Sequence, residues 1–263
     1  MEKPLITSTS NPLVKQVRAL RQRKARTESG LFIVEGIHHV GEAVEAGWQI
    51  ESILYAPDVL TSDFGRDLIA RVPSAGQAVS EQVIESLADK ENPQGILALV
   101  HQRQLKLDDI KSLRCGAAVV SPQDAGNIGT ILRTLDAVGA DALFLLDGGV
   151  DPFHPTSVRA SMGAIFWKPI VQTSFDEFVK WAHQGNYQLI GTSAHAQSDY
   201  RSFIPKPPFI LLLGSEQKGL SPKQAQACDV TVSLPMYGRA SSLNLAVAAG
   251  ILLYQFVNPK NPS

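Results

Sequence analysis

The sequence has few of the features that mark secreted, membrane-bound or metal-holding proteins. Its two cysteines, Cys115 and Cys228, are far apart and make neither a disulfide framework nor a metal site. The longest mainly apolar stretch, Leu245–Tyr254, is about half of what a membrane-spanning helix needs. The N-terminal residues lead into Thr/Ser-rich sequence without the apolar segment of a secretory signal. We therefore expect a soluble cytoplasmic protein that has no membrane partner.

Motifs for common nucleotide and hydrolase chemistry are also missing. The chain has no G-x-x-x-x-G-K-[ST] phosphate loop, no G-x-G-x-x-G between a strand and a helix, and no serine nucleophile elbow. Its histidines never pair at metal-ligand spacing on a helix, so we expect them to be solvated or structural and we expect no metal. These residues are His38, His39, His101, His154, His183 and His195.

Length and composition indicate an α/β chain of two domains. The chain has 263 residues, of which 44% are hydrophobic, whereas a typical domain has about 100–150 residues. Strand-like and helix-like segments alternate, which predicts a small sheet with helices in the first half and a mostly parallel sheet in the second. The polar segment His101–Leu113 is the expected linker. We therefore expect the domains at residues 1–104 and 105–263.

A basic segment stands out against the formal net charge of −1. Asn11 and Pro12 are typical of a helix start, and apolar residues recur after them at helical spacing, which predicts one amphipathic helix with a basic outer face. Because phosphate contacts release counterions, such a face favours binding to a polyanion; a solvated surface is the alternative. The segment has no acidic residue, and its cations are Lys15, Arg18, Arg21, Arg23, Lys24 and Arg26.

Three polar loops in the second half each follow an apolar strand, and a parallel sheet binds its ligands at such strand ends. The first loop, Asp124–Arg133, leads into a predicted helix that Asn127 is expected to cap, with Arg133 off the buried face. The second loop, Leu213–Leu220, places Glu216 between two glycines, which let the backbone turn sharply.

The third loop, Leu234–Ala246, opens the last predicted helix, Ser242–Val257. Polar groups at the start of an otherwise apolar helix need hydrogen bonds, either as helix caps or to a ligand. We expect Ser242 to cap this helix. Capping explains Asn244 less well, which favours a role in ligand binding for that residue.

Together, in this order, the three loops resemble the three motifs of the SpoU (TrmH) branch of the SPOUT methyltransferases, which methylate RNA ribose 2′-hydroxyls with S-adenosylmethionine. The stretch NIGTILRT resembles motif one, LLLGSEQKGLS motif two and SLPMYGRASSLNLAVAAGILLYQ motif three, and DPFHPTSVRASMGAIF resembles the segment between them. The resemblance covers residues 117–257. Ala125 stands where proline is usual and Gln255 where glutamate often closes motif three; neither touches the expected chemistry.

The first hundred residues are similar to the RNA substrate-binding domain often fused ahead of this fold, which is like a small ribosomal protein. The stretches ITSTSNPLVKQVRAL and GLFIVEGIHHVGEAV, with the basic segment, carry this second resemblance. The implied fold class is therefore α/β, with a trefoil-knotted parallel-sheet SPOUT domain preceded by a smaller ribosomal-protein-like RNA-binding domain.

The resemblance also implies which residues serve the assembly and the reaction. Family members are dimers whose closing helices pack together, which implies a homodimer through the apolar run Ala246–Leu253; burial within the monomer is the competing interpretation. The implied catalytic residues are Arg133, Asn127, Ser242 and Asn244. The residues implied to bind S-adenosylmethionine are Thr192, Leu213, Gly214, Glu216, Gly219, Leu234, Pro235, Met236 and Leu243.

The implied function is the methylation of RNA ribose 2′-hydroxyls, with ribosomal RNA as the expected substrate. Because a guanidinium stays protonated, we expect Arg133 to hold the adjacent phosphate and stabilise developing alkoxide charge, rather than to act as a general base. Two alternatives are the same activity on transfer RNA and a noncatalytic RNA-binding or ribosome-assembly protein that has kept the fold. Intact Arg133, Glu216, Ser242 and Asn244 favour the enzyme.

Overall fold

The computed structural model describes residues 3–88, 94–193 and 196–257 of the chain. The chain separates into two compact units. The first unit runs to Arg103 and includes the later segment Phe153–Phe166, and the second takes the chain from Gln104 apart from that segment. The boundary predicted from the sequence counts Phe153–Phe166 with the second domain, whereas the fold packs this segment into the first unit.

Helices and strands alternate along the chain. Up to residue 101 the elements are α1 (Pro12–Ala19), α2 (Arg23–Ser29), β1 (Leu31–Glu35), α3 (Ile37–Glu45), β2 (Ile50–Tyr55), α4 (Asp63–Arg71), β3 (Gly76–Ala78), α5 (Glu81–Leu87) and β4 (Ile96–His101). They continue with β5 (Cys115–Val120), α6 (Ala125–Ala137), β6 (Ala142–Leu146), α7 (Pro155–Ala160), β7 (Ile170–Thr173), α8 (Phe175–Gln184), β8 (Gln188–Thr192), β9 (Ser198–Asp199), β10 (Phe209–Leu213), α9 (Pro222–Gln226), β11 (Val230–Ser233) and α10 (Leu245–Val257).

The sheet of the first unit has the strand order β1-β4-β2-β3. β4 runs antiparallel to β1 and β2, and β3 runs parallel to β2. The buried side chains of α1 and α5 pack on this sheet, with Val14, Val17 and Leu87 in one core together with Leu54 and Leu97 of the strands. The first half is therefore a small sheet with helices packed on it, as the alternation of segments predicts.

Aromatic residues hold the segment Phe153–Phe166 within the first unit. The ring centroids of Phe32 and Phe153 are 4.8 Å apart, and those of Trp48 and Phe166 are 5.4 Å apart. The Trp48 indole Nε1 also donates a hydrogen bond of 2.9 Å to the Phe166 carbonyl oxygen. The cluster buries large apolar rings and gives the indole N–H a partner, so the segment packs against residues that are distant from it in the sequence.

The basic segment folds differently from its prediction. α1 ends at Ala19 and a turn separates it from α2, so the predicted single helix is wrong. Arg26 is 1% exposed, and its Nη1 donates to the carbonyl oxygens of Leu20 at 2.8 Å and Arg21 at 2.9 Å. A break in a helix deprives carbonyl groups of their usual partners, and the buried guanidinium supplies donors for them. Arg26 is therefore structural and does not belong to the basic outer face.

The seven strands of the second unit form one parallel sheet in the order β7-β6-β5-β10-β8-β11-β9. All of the paired strands run parallel, which confirms the predicted mostly parallel sheet. β5, β6 and β10 are buried at every position, as expected of strands covered on both faces. The four-residue β7 and the two-residue β9 were not predicted, because such short strands carry too little pattern.

Replacing Arg26 with alanine should remove both hydrogen bonds at the break between α1 and α2. Hydrogen bonds from charged donors contribute about 1.5–3 kcal/mol, so we expect the free energy of unfolding to fall by about 2 kcal/mol. Lys24→Ala is the matched control, because the Lys24 side chain is exposed and its Nζ lies 3.8 Å from Glu28 in a surface ion pair. We expect less than about 0.5 kcal/mol for the control. Urea unfolding followed by circular dichroism measures both, and equal losses would show that Arg26 has no special structural role.

Candidate active site

Four neighbouring strands bring distant parts of the chain to one edge of the second unit. β5, β10, β8 and β11 lie side by side and parallel, so their carboxyl ends share that edge. Val119 of β5 pairs with Leu213 of β10, and Thr192 of β8 pairs with Val232 of β11. The three polar loops, which follow β5, β10 and β11, therefore begin close to one another.

The Asn127 side chain links these three loops. Its Nδ2 donates to Glu216 Oε1 at 3.5 Å, and its Oδ1 accepts from Asn244 Nδ2 at 2.9 Å. The backbone N–H of Gln123 also donates to both carboxylate oxygens of Glu216, at 3.3 Å each. Asn127 is 8% exposed, so both ends of its buried amide are satisfied by residues from the other two loops.

The role of Asn127 differs from the predicted helix cap. α6 begins at Ala125, and its cap is Asp124, whose Oδ1 accepts from the Gly126 N–H at 2.6 Å. The prediction that Asn127 caps this helix is therefore wrong. Because Asp124 takes the cap, Asn127 lies in the first turn of α6, where its amide reaches the neighbouring loops.

Asn244, and not Ser242, caps the last helix. α10 begins at Leu245, and Asn244 Oδ1 accepts from the N–H groups of Ala246 at 2.9 Å and Val247 at 3.2 Å. The predicted cap at Ser242 is wrong because the chain enters the helix three residues later than expected. Asn244 therefore serves twice: its oxygen fixes the start of α10, while its nitrogen binds Asn127.

A tight turn presents Glu216 to this network. Ser215 and Gly219 exchange two backbone hydrogen bonds, of 3.2 and 2.9 Å, and Gly219 has a φ of +64°. A Cβ on Gly214 would lie 2.0 Å from the Gly219 carbonyl carbon and 2.2 Å from the Leu220 nitrogen. The close approach of these backbone segments thus requires glycine at position 214, and the positive φ favours it at position 219.

Two family profiles match the chain. The profile of the SpoU rRNA Methylase family matches residues 116–254, more than half of the sequence. The chain belongs to the SpoU rRNA methylase family. This membership confirms the resemblance found in the three motifs. The profile of the MRM3-like substrate binding domain matches residues 11–98.

Relatives of known name cover nearly the whole chain. The 23S rRNA (uridine(2479)-2′-O)-methyltransferase of Streptomyces viridochromogenes is 34% identical, over 97% of this chain and 92% of its own. The 23S rRNA (guanosine(2553)-2′-O)-methyltransferase RlmP of Bacillus subtilis is 32% identical, over 95% of this chain and 97% of its own.

Solved structures of related enzymes share the whole fold. The AdoMet-bound rRNA methyltransferase from Sinorhizobium meliloti is similar with a TM-score of 0.88 at 35% identity, covering 96% of each chain. The SpoU methyltransferase AviRb from Streptomyces viridochromogenes, in complex with AdoMet, is similar with a TM-score of 0.86 at 34% identity, covering 94% of this chain and 98% of its own.

The residues predicted to bind the cofactor of a SpoU methylase lie along this edge. Leu213 is buried in β10, and Gly214 follows it. Thr192 ends β8 and is half-buried, and its Oγ1 donates to the Leu212 carbonyl oxygen at 3.4 Å. The three residues that follow β11 are half-buried, and they are Leu234, Pro235 and Met236. Gly219 and Leu243 are exposed.

Two of the four predicted catalytic residues take no part in the hydrogen bonds by which Asn127 links the loops. Asn127 and Asn244 are hydrogen-bonded to each other, whereas Ser242 and Arg133 are exposed. Arg133 lies on α6 six residues after Asn127. Over the described ranges, no hydrogen bond or ion pair joins its guanidinium to Glu216 or Asn244.

The predicted RNA-binding cations lie in the first unit. Arg18 donates to the Thr9 carbonyl oxygen at 3.2 Å and to Ser86 Oγ at 3.0 Å, and Arg21 Nη2 donates to the Leu87 carbonyl oxygen at 2.7 Å. Both arginines therefore also tie α1 and the turn after it to α5. The five cations that the structure places at the surface are Lys15, Arg18, Arg21, Arg23 and Lys24.

Other common site chemistries find no support. Burial raises the pKa of the Cys115 thiol to about 11 and that of Cys228 to about 12, so neither is a ready thiolate nucleophile. In the described part of the chain no cluster of His, Cys, Asp or Glu is suited to a metal, and no helix is long and apolar enough to cross a membrane. His195, one of the six histidines, lies outside the described residues.

One polar cluster was missed by the sequence analysis. Arg201 binds both carboxylate oxygens of Asp199, and its Nη2 donates to the Tyr237 hydroxyl at 3.1 Å. Hydrogen bonds from the Arg201 guanidinium lower the pKa of Asp199 to about 2, so the carboxylate is ionised at neutral pH. Asp199 and Tyr237 are far apart in sequence, and the pairing of β9 with β11 that joins them is too short to predict.

Gly214→Ala should destabilise this SpoU methylase. The added Cβ falls within 2.5 Å of backbone atoms of the opposite arm of the turn, which must shift. Overpacking of this kind costs about 1–3 kcal/mol, or about 5 °C in Tm. Gly238→Ala is the matched control, because a Cβ there meets no atom within 4 Å, and we expect a Tm within about 1 °C of wild type. Calorimetry measures both variants, and an unchanged Tm for Gly214→Ala would contradict the tight turn.

Proposed function

We propose that the chain methylates ribose 2′-hydroxyls of ribosomal RNA with S-adenosylmethionine as the methyl donor. The observation that carries this proposal is the Asn127 network, which unites the three loops of a SpoU methylase at one sheet edge. Named relatives that cover nearly the whole chain act on 23S rRNA at ribose 2′-oxygens. A noncatalytic RNA-binding protein would not need this arrangement.

The residues at the edge fit S-adenosylmethionine. Leu234, Pro235 and Met236 offer half-buried apolar contacts, and the strand ends and the turn at Gly214 offer backbone groups. The Glu216 carboxylate brings a negative charge to a site that takes a positively charged cofactor. The residues that would hold the cofactor are Thr192, Leu213, Gly214, Glu216, Gly219, Leu234, Pro235, Met236 and Leu243. When bound, it supplies a methyl group that the sulfonium already activates.

In the reaction, the residues of the protein must orient one ribose and direct the removal of the proton from its 2′-hydroxyl. We assign to Arg133 the binding of the phosphate next to the target ribose, where its charge stabilises the alkoxide that develops on the 2′-oxygen. A guanidinium stays protonated, so the proton passes to a phosphate oxygen or to water. Asn127 and Asn244 fix the loops, and Ser242 orients the ribose from the exposed stretch before α10.

Ribosomal RNA from cells with and without the gene tests the proposed activity. Mapping of 2′-O-methyl groups should reveal one site that is present with the gene and absent without it. Transfer RNA from the same cells is the internal comparison. A lost site in transfer RNA, or no lost site in either RNA, would contradict ribosomal RNA as the substrate.

Arg133→Ala should lower methyl transfer at least about a hundredfold, the effect of losing one donor that stabilises developing charge. S-adenosylmethionine affinity should stay within about twofold, because Arg133 is not among the residues assigned to the cofactor. Lys180→Ala, which removes an exposed cation from α8 of the same unit, is the control and should behave as wild type. Single-turnover transfer to ribosomal RNA and calorimetry measure the two effects. Transfer within a few fold of wild type would refute the role of Arg133.

The first hundred residues act, in this proposal, as the RNA substrate-binding domain, and residues from about 105 onward as the methyltransferase domain. The profile match at residues 11–98 and the exposed cations around α1 and α2 support this division. In this division the first unit binds the RNA through its phosphates, and the second unit acts on one ribose.

Replacing Arg23 and Lys24 together with alanine should weaken RNA binding and reduce its salt dependence, because fewer counterions are released. Arg66→Ala with Arg71→Ala removes the same number of exposed cations from α4 and is the control. Fluorescence titrations at several salt concentrations give the slope for each variant. If both pairs change the slope equally, the basic segment is only a solvated surface.

We also propose a homodimer through α10. This helix buries Ala249 and Leu252, while Val247, Ile251 and Tyr254 form an exposed apolar stripe at helical spacing. Ile251→Glu should therefore dissociate the chain to monomers in sedimentation, whereas Gln255→Glu on the next face should not. A wild-type chain that sediments as a monomer would contradict the dimer.

The remaining proposals concern topology and location. β10 lies between β5 and β8 although β8 precedes it in sequence, an order compatible with the trefoil knot of the family. A chain trace in an experimental electron density map tests the knot, and an unknotted trace would contradict it. We also propose that the protein is cytoplasmic, a location that gives it access to ribosomal RNA, and fractionation of cells tests this directly.

A further inference from the structure

An exposed tyrosine follows the residues assigned to the cofactor and has no role in the proposed reaction. Tyr237 comes directly after Met236 in the loop beyond β11, and 83% of it is exposed. Its ring is a large apolar surface that is open to solvent, and its burial against a partner is favourable. We therefore asked which binding partner covers the Tyr237 ring.

The Tyr237 side chain is held in place at its far end. Its hydroxyl accepts from Arg201 Nη2 at 3.1 Å, and Arg201 binds Asp199 through Nε at 3.0 Å and through Nη2. The Arg201 backbone N–H also donates to Asp199 Oδ1 at 2.9 Å, which fixes the turn between the two residues. Asp199 pairs with Ser233 across β9 and β11, so the anchor sits on the strand next to the one that leads to Tyr237.

This anchoring prepares the ring for binding. A free tyrosine side chain loses rotamer freedom when it meets a partner, whereas a ring fixed at its hydroxyl has lost that freedom beforehand. The paired charges of Arg201 and Asp199 leave the ring at a polar, nearly neutral rim. The exposed Arg239, two residues further on, adds a cation to the same loop.

We propose that Tyr237, positioned by Arg201 and Asp199, is a stacking platform for an unpaired nucleobase of the RNA substrate. The ring offers an open aromatic face, and stacking on tyrosine is a common way for proteins to hold bases of single-stranded RNA. A second copy of the chain is a poorer fit for this ring, because α10, a helix without charged side chains, already offers a second copy an apolar stripe. This inference rests on the proposed RNA methyltransferase function and adds a requirement for an unpaired base near the target ribose.

Affinity for a short RNA tests the platform without any methyl transfer. The probe is a single strand of about 12 nucleotides, compared with the same strand in a duplex. Tyr237→Ala should weaken binding of the single strand at least about fivefold and leave duplex binding within about twofold. Tyr237→Phe keeps the ring and loses the bond to Arg201, so its affinity should fall between wild type and Tyr237→Ala. Ile204→Ala, which alters an equally exposed residue, is the control.

Photo-crosslinking locates the contact directly. The single strand with 5-bromouridine in place of uridine should crosslink to the peptide that contains Tyr237, and the duplex should not. Arg201→Ala should reduce this crosslink, because the ring is then no longer fixed, while Arg201→Lys should restore part of it.

Three outcomes would overturn the platform. They are unchanged affinity for the single strand in Tyr237→Ala, a loss of S-adenosylmethionine affinity in that variant, and its dissociation to monomers in sedimentation. The second would place the cofactor on the ring, and the third a second copy of the chain. Failure of the proposed function would look different: the wild-type chain would methylate no ribosomal RNA, while the crosslink at Tyr237 would still report base stacking.

Discussion

The site depends on the two hydrogen bonds of the Asn127 side chain. Its amide donates to Glu216 and accepts from Asn244, so one buried group satisfies both of its ends and holds two other loops at the same time. An apolar residue at this position would leave the Asn244 amide without its partner and would remove a donor to Glu216. Asn127 itself is buried, and a buried amide without partners costs about 1–3 kcal/mol, so the linked arrangement is the stable one.

The parallel sheet makes this link possible. Neighbouring strands that run in the same direction end at one edge, so segments about ninety residues apart in sequence, such as Gln123 and Glu216, come within hydrogen-bond distance. The tight turn after Gly214 and the cap of α10 at Asn244 then fix each loop locally. In the proposed function the exposed cations of the first unit dock the RNA, while the second unit carries the methyl transfer site.

Much of this was predictable from the sequence. The mostly parallel sheet, the apolar strands that precede the loops and the three loops follow from local pattern, and the motifs identify the family. The errors concern contacts that depend on the fold. Asp124 and Asn244 take the caps expected of Asn127 and Ser242, and a break between α1 and α2 buries Arg26. Local spacing cannot show which of two nearby polar residues caps the helix.

Hydrogen exchange with and without S-adenosylmethionine tests most directly whether the three loops form one cofactor site. Mass spectrometry of the wild-type chain should show slower exchange on binding in the peptides that cover residues 124–129, 214–219 and 234–244 together. Peptides from α4 in the first unit should be unchanged. Protection confined to one of the three loops, or absent from all of them, would contradict the account.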